Sequence, residues 1–365
     1  MPRENAAQGV NAILREDCLR VLDRVDLRPL RNGRVLVTGS NGLLGRSLIY
    51  VLHFGNELGG LNCKVYGISR HEPNRYMRPL RADQDLVLLQ ADLAEPFSFD
   101  EKVDYIFHAA GYAQPKLFLQ EKLKTISLNV ETAKALLELA RLHGARLVFF
   151  SSGDIYGEIP RTMGAVPETY NGNLCPTAPR SIYGEAKRLG ESICSIYRND
   201  YNVQVYITRI SHTYGPGLGI DDHRVLGDFI RKALLDREIR MLDQGDSIKT
   251  FGYISDIVAM LFKVMLEGNS LVYNIGGVDT MTIRQLAEAV AKHSGNVRVI
   301  LPEGKSSEEH IGSDPKYCQL DISKFVNEFG PVDFMSFSEG IRRTIEWNKL
   351  EFGYGTSDRT EAPDG

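Results

Sequence analysis

Tyr183 and Lys187 stand four positions apart in Tyr-Gly-Glu-Ala-Lys, inside a helical pattern that runs over 181–199. Four residues is about one helical turn, so both side chains project from one face. A phenol titrates near 10 and is a poor base at neutral pH. An ammonium and an oxidised nicotinamide ring beside it would favour the phenolate. Such a tyrosine can exchange a proton with a sugar or alcohol hydroxyl while a hydride moves. The plain alternative is a surface pair on a helix. Ser151-Ser152 argues against that alternative, because it ends a predicted strand about thirty residues earlier. In a doubly wound sheet that strand end is where ligands bind. Asp154 follows two residues on, placed to act as a carboxylate base or, alternatively, to cap the amides of Tyr156 and Gly157.

Nicotinamide chemistry needs a dinucleotide site, and the first predicted strand supplies one. It runs into Thr38-Gly39-Ser40-Asn41-Gly42-Leu43-Leu44-Gly45 and then an apolar helix. Glycines there permit a tight turn, close approach to a pyrophosphate and close helix packing, and the helix N-terminus offers unpaired amides. The strand–turn–helix context carries the reading, since a glycine triplet alone often only makes turns. An acidic residue normally closes the second strand and binds an NAD ribose, but here Ser69 and Arg70 stand there. They suit a 2′-phosphate, which tilts the cofactor from NAD toward NADP; the alternative is a solvated arginine. Asp92 and Leu93 follow the third strand, with Asp92 placed to meet the adenine or to cap its loop.

Short apolar runs at Arg34–Thr38, Lys64–Ile68, Leu86–Gln90, Val103–Phe107, Arg146–Phe150 and Val203–Thr208 alternate with helical patterns. The helices are expected at Leu43–Phe54, Asn129–His143 and Ser181–Asn199. Strands apolar on both faces predict an α/β, Rossmann-type doubly wound parallel sheet covered by helices. Residues 1–32 read as an N-terminal helical extension and 33–210 as the dinucleotide-binding domain. Residues 211–350 read mainly as a smaller α+β substrate-binding lobe with isolated strands such as Leu271–Ile275, and 351–365 as a disordered tail.

The chain has 365 residues, 43 basic against 47 acidic, a net charge of −4. That balance excludes a general nucleic-acid binder, which would carry a basic stripe. No apolar run approaches the 18 residues or so needed to cross a bilayer, and the opening residues lack the basic-then-apolar pattern expected of a signal peptide. Five scattered cysteines without a CxxC pair suit reduced thiols in a cytoplasmic protein, with no zinc or disulfide framework.

These motifs together resemble the extended short-chain dehydrogenase/reductases of the nucleotide-sugar epimerase/dehydratase group. The pieces are Thr38–Gly45, His108-Ala109-Ala110-Gly111, Asn129, Ser151–Gly157, Pro179–Lys187, Arg209–Pro216 and Tyr273–Gly276. Pro179-Arg180 and Asp221-Asp222-His223-Arg224 look most like the UDP-glucuronate decarboxylase branch. The resemblance implies that Ala109, Ala110, Gly111 and Asn129 help to hold the dinucleotide. It implies Tyr183 as base, Lys187 as its electrostatic partner, Ser152 as donor to the reacting oxygen and Asp154 as a second catalytic group. Substrate contacts would come from Ser152, Gly153, Arg180, His212, Arg224 and Lys249.

Four positions depart from the pattern. Gly153 replaces the acid that 4,6-dehydratases use, which argues against C6 elimination. Asp154 is a shortened version of the decarboxylases' glutamate. Lys249 and His212 stand where an arginine and an asparagine are usual. The implied reaction is transient C4 oxidation of a nucleotide hexose, ending in epimerisation or decarboxylation. A net 4-keto-sugar reductase and a non-catalytic dinucleotide sensor are the alternatives. The resemblance also implies a homodimer through helices 129–143 and 181–199.

Overall fold

The computed structural model describes residues 12–303 and 316–353. The expected strands form one seven-stranded parallel sheet in the order β10-β6-β5-β4-β1-β2-β3. They are β1 (Arg34–Thr38), β2 (Lys64–Ser69), β3 (Leu86–Gln90), β4 (Tyr105–His108), β5 (Arg146–Ser152), β6 (Val205–Ile210) and β10 (Val272–Ile275). Val35, Leu36 and Val37 are fully buried, as a central strand covered on both faces requires. The order reverses between β1 and β4, so the turns after these two strands open a crevice at their C-terminal ends.

Helices α1 (Ala12–Leu22), α2 (Leu43–Gly59) and α8 (Ile254–Glu267) share a core on one face. On the other lie α4 (Lys122–Asn129), α5 (Glu131–His143) and α6 (Ser181–Tyr201), with the short α3 (Pro115–Gln120) before them. The smaller lobe contains β7 (His212–Tyr214), α7 (Val225–Arg231), β8 (Glu238–Arg240), β9 (Ile248–Tyr253), β11 (Asp279–Thr282), α9 (Ile283–His293), β12 (Arg298–Ile300) and β13 (Tyr317–Cys318). Helices α10 (Ser323–Phe329) and α11 (Phe337–Phe352) complete the described chain. No helix among the described residues is long and apolar enough to cross a membrane.

Several boundaries differ from expectation for identifiable reasons. The Val203 amide still closes α6 on the Tyr197 carbonyl, so β6 starts at Val205. The Val103 amide donates to His143 Nδ1 instead of a neighbouring strand, which delays β4 to Tyr105. The helix expected over 129–143 is two, broken at Val130 (φ −116°, ψ −70°). Leu271–Ile275 is not isolated: β10 pairs with β6, and α8 covers the sheet, so 254–275 return to the first domain. The N-terminal extension is packed, with Asp17 bonded to Tyr253 (2.6 Å) and Arg343 (2.9 Å), and Arg24 to Asp256 (2.7 Å). Glu351 and Phe352, expected in a disordered tail, end α11; residues 354–365 lie outside the described residues.

Candidate active site

The crevice is a cleft of about 410 Å³ between the sheet's C-terminal edge and the smaller lobe. One wall is the glycine turn after β1. Gly39 has φ +71°, and a Cβ there would lie 2.7 Å from the Ala109 carbonyl oxygen. A Cβ at Gly45 would lie 2.3 Å from the Gly39 oxygen, so α2 rests directly on the turn. Gly42 caps α2 with no side chain, which leaves the first-turn amides facing the cleft. A bare helix start with no room for side chains fits a dinucleotide pyrophosphate. Across the switch point, Thr38 Oγ1 and His108 Nδ1 lie 2.8 Å apart, and His108 Nε2 reaches the Leu128 carbonyl at 2.9 Å. Burial drives the His108 pKa down to about 3, so this brace between β1 and β4 is neutral.

The chemical groups converge at the other end. Ser152 closes β5 and accepts from the Asp154 amide at 3.2 Å while hydrogen-bonding Tyr183. Tyr183 and Lys187 enter from the first turns of α6, both buried. Phe118 of α3 stacks on the Tyr183 ring at 5.2 Å and 11°. Lys187 Nζ lies 5.7 Å from the centre of that ring and donates to the Phe150 carbonyl at 2.5 Å. Burial pushes the lysine down to about 7, opposed by Glu191.

The expected depression of the phenol is not met by the protein alone. Burial raises the Tyr183 pKa, and the Asp154 carboxylate raises it further, against the Ser152 hydrogen bond and Arg224. Behind these groups Glu191 accepts from Ser151 Oγ (2.6 Å) and pairs with Arg209 (2.7 Å). Arg209 also donates to Tyr156 Oη (2.9 Å) in the turn that carries Asp154, so one buried ion pair ties α6, β5, β6 and that turn together.

Of the residues singled out from sequence, Asn41, Gly42, Leu43, Leu44, Gly45, Ala109, Gly111, Ser152, Gly153, Asp154, Tyr183, Lys187, His212 and Arg224 border this cleft. Gly39 and Ala110 shape it from behind, the Ala110 amide donating to Thr38 Oγ1 at 3.2 Å. Ser151, Asp221 and Asp222 also line it, and the remaining site candidates do not. Asn129 is buried at the end of α4, its amide donating to the Thr125 carbonyl at 2.7 Å. Lys249 is buried in β9 one strand beyond Cys318. Arg180 lines an adjoining hollow of about 150 Å³ that it shares with Asp154. Ser69 Oγ donates to the His71 carbonyl (2.7 Å). Arg70 donates to His71 Nε2 (3.1 Å) and the Tyr112 hydroxyl, with its guanidinium over the Tyr112 ring. Asp92 is bonded to Lys124 (2.8 Å), and the Leu93 carbonyl accepts from Thr132.

Sequence reasoning missed Arg46, Tyr76 and Cys318, which also line the cleft. Arg46 had a signal, since it follows Gly45 directly. Cys318 had none: only the pairing of β13 with β9 brings it beneath Gly153, where a Cβ would sit 3.3 Å from its sulfur.

The profile of the NAD dependent epimerase/dehydratase family matches residues 35–276. UDP-glucuronic acid decarboxylase 6 of Arabidopsis thaliana is 31% identical over 338 residues, covering 89% of this chain and 93% of the relative. UDP-glucuronic acid decarboxylase 1 of Xenopus tropicalis is 28% identical over 89% of this chain and 74% of its own length. Among solved structures, a UDP-glucuronic acid 4-epimerase variant of Bacillus cereus in complex with NAD superimposes with a TM-score of 0.74 at 22% identity. It covers 87% of this chain and 99% of its own. A dTDP-glucose 4,6-dehydratase of Streptomyces venezuelae with NAD bound gives 0.72 at 23% identity over 88% and 98%. These two likenesses establish the fold.

Proposed function

The chain belongs to the NAD dependent epimerase/dehydratase family, and from that premise we propose that it oxidises C4 of a UDP-glucuronate-type nucleotide sugar and decarboxylates the resulting keto acid. The observation that carries this reading is the convergence of Ser152, Tyr183, Lys187 and Asp154 at one end of a cleft whose other wall is the glycine turn. When bound, NAD supplies the hydride acceptor and returns the hydride later.

Tyr183 Oη takes the C4 hydroxyl proton as the hydride leaves, and Ser152 orients that oxygen. Lys187, in its protonated form, contributes positive charge that favours the phenolate. The ketone then lies β to the C6 carboxylate, so the C5–C6 bond breaks, carbon dioxide leaves and its electron pair stays at C5. A proton from water at C5 and reduction of the C4 ketone, in which Tyr183 gives its proton back to the oxygen, would complete a UDP-pentose. Arg224, held by Asp222 at 2.7 Å, faces the same cleft and is assigned to the substrate's diphosphate.

We infer NAD rather than NADP, because Ser69 and Arg70 are engaged with His71 and Tyr112. Leu123, Leu189 and Ile196 are exposed on α4 and α6, and we assign that surface to pairing between two copies.

A second reading is favoured by Asp154: a carboxylate bordering the cleft can remove a proton from carbon beside the ketone, which would give epimerisation. Incubation with UDP-glucuronate decides between them. Carbon dioxide release that persists in Asp154→Asn supports decarboxylation. Exchange of a sugar hydrogen with deuterated solvent without carbon dioxide release, lost in Asp154→Asn, supports epimerisation.

A further inference from the structure

Arg46 takes no part in the chemistry above, yet it sits in the first turn of α2, borders the cleft and is only 7% exposed. Its guanidinium donates to the carbonyls of Asn41 (3.3 Å) and Gly217 and lies 4.4 Å from the centre of the Tyr76 ring. Gly217 has φ +101°, and a Cβ there would meet Arg46 Nη2 at 3.0 Å, so the opposite loop is shaped around this cation.

No carboxylate pairs with it directly. Among the described residues no carboxylate is within ion-pair distance of Arg46. Asp222 is taken by Arg224, bonded at 3.0 and 2.7 Å, and Asp221 stands farther off. A buried guanidinium held directly only by carbonyls and a ring, with Asp221 and Asp222 acting from beyond ion-pair distance, has much of its desolvation cost left uncompensated. Beside it, Tyr76 Oη is buried without any hydrogen-bond partner, in a residue 9% exposed that also borders the cleft. The uncapped amides of α2 open at the same place.

We infer that Arg46 and Tyr76, with the amide end of α2, form a clamp for a diphosphate. A planar cationic fork, a hydroxyl donor and free amides together match a doubly charged group rich in acceptor oxygens. The inference rests on the proposed function, in which two ligands carry a diphosphate: the dinucleotide and the nucleotide sugar.

Calorimetric titration of the full chain with NAD, adenosine, UDP and uridine tests it in wild type, Arg46→Met and Tyr76→Phe. Arg46→Met should weaken the clamped ligand roughly 10- to 100-fold, the scale of charge-assisted hydrogen bonds, and Tyr76→Phe about 3- to 10-fold. Adenosine and uridine, which lack phosphate, should keep their affinities. A loss confined to NAD assigns the clamp to the dinucleotide, and one confined to UDP assigns it to the sugar nucleotide. Unchanged binding of both in both variants overturns the clamp and leaves Arg46 as an anchor for the Gly217 loop. Wild-type protein that binds neither NAD nor UDP overturns the proposed function, and the clamp with it. Should Arg46→Met not fold, Tyr76→Phe and competition by inorganic pyrophosphate on wild type decide; pyrophosphate that displaces neither ligand overturns the clamp.

Discussion

Replacing Lys187 by methionine should stabilise this protein while silencing it. Lys187 is buried, and burial brings its pKa from 10.5 to about 7. Between those two values the unfolded chain holds the proton and the folded chain does not. Unfolding therefore takes up a proton, and stability climbs with pH across that window. Below pH 7 both states are protonated, and the full penalty of burying an ammonium is present. At ~1.4 kcal/mol per pH unit the penalty is on the order of 5 kcal/mol. Methionine removes it but leaves the Phe150 carbonyl without its donor, a cost of about 1–3 kcal/mol. The net gain is about 2–4 kcal/mol in mildly acidic buffer, shrinking by ~1.4 kcal/mol per pH unit above neutrality. Urea unfolding of both proteins without ligand, at unit steps from acidic to alkaline pH, measures this difference. A difference that does not change with pH, or a variant less stable than wild type in mild acid, would refute the assignment of Lys187 as a buried, strained cation.

Tyr183→Phe should still bind NAD and UDP-glucuronate but slow reduction of the bound nicotinamide by a factor of about 100 or more, seen as a lost absorbance transient on mixing. Gly45→Ala forces a Cβ to within 2.3 Å of the Gly39 oxygen, so the turn must shift. NAD affinity should fall at least ~10-fold with about 1–3 kcal/mol of stability, read by titration and urea unfolding. Asp154→Asn removes a negative charge that raises the Tyr183 phenol. The rate of nicotinamide reduction, which rises as the phenol ionises, should then reach its plateau at lower pH than in wild type.

The sheet was legible because its strands are continuous apolar runs separated by helical periods, and the glycine turn because few other residues could occupy it. Ser152, Tyr183 and Lys187 were legible as types at a spacing, and the structure brings them into one cleft. What local pattern could not show was where the chain after residue 210 goes. The strand Val272–Ile275 looks isolated in sequence, and only pairing with β6 makes it the seventh strand. Asn129 carries a polar side chain at a suggestive position, yet its helix turns that side chain into its own backbone. Lys249 stands in register with Cys318, one strand farther from the cleft, and only the pairing of β13 with β9, which no local pattern reveals, puts Cys318 on the cleft wall in front of it. The charge on Arg46 was visible all along, but the lack of a directly paired carboxylate is a three-dimensional fact.

The central claim is that a nucleotide sugar is oxidised and reduced again at C4 within one site, with Tyr183 handling the proton. UDP-glucuronate carrying deuterium at C4 tests it most directly, with catalytic enzyme and no added reduced cofactor. The account predicts carbon dioxide release, a brief appearance of reduced nicotinamide and a UDP-pentose that keeps its deuterium at C4, none of which Tyr183→Phe gives at a comparable rate. A product that has lost its C4 deuterium to solvent, or full turnover by Tyr183→Phe, would contradict it.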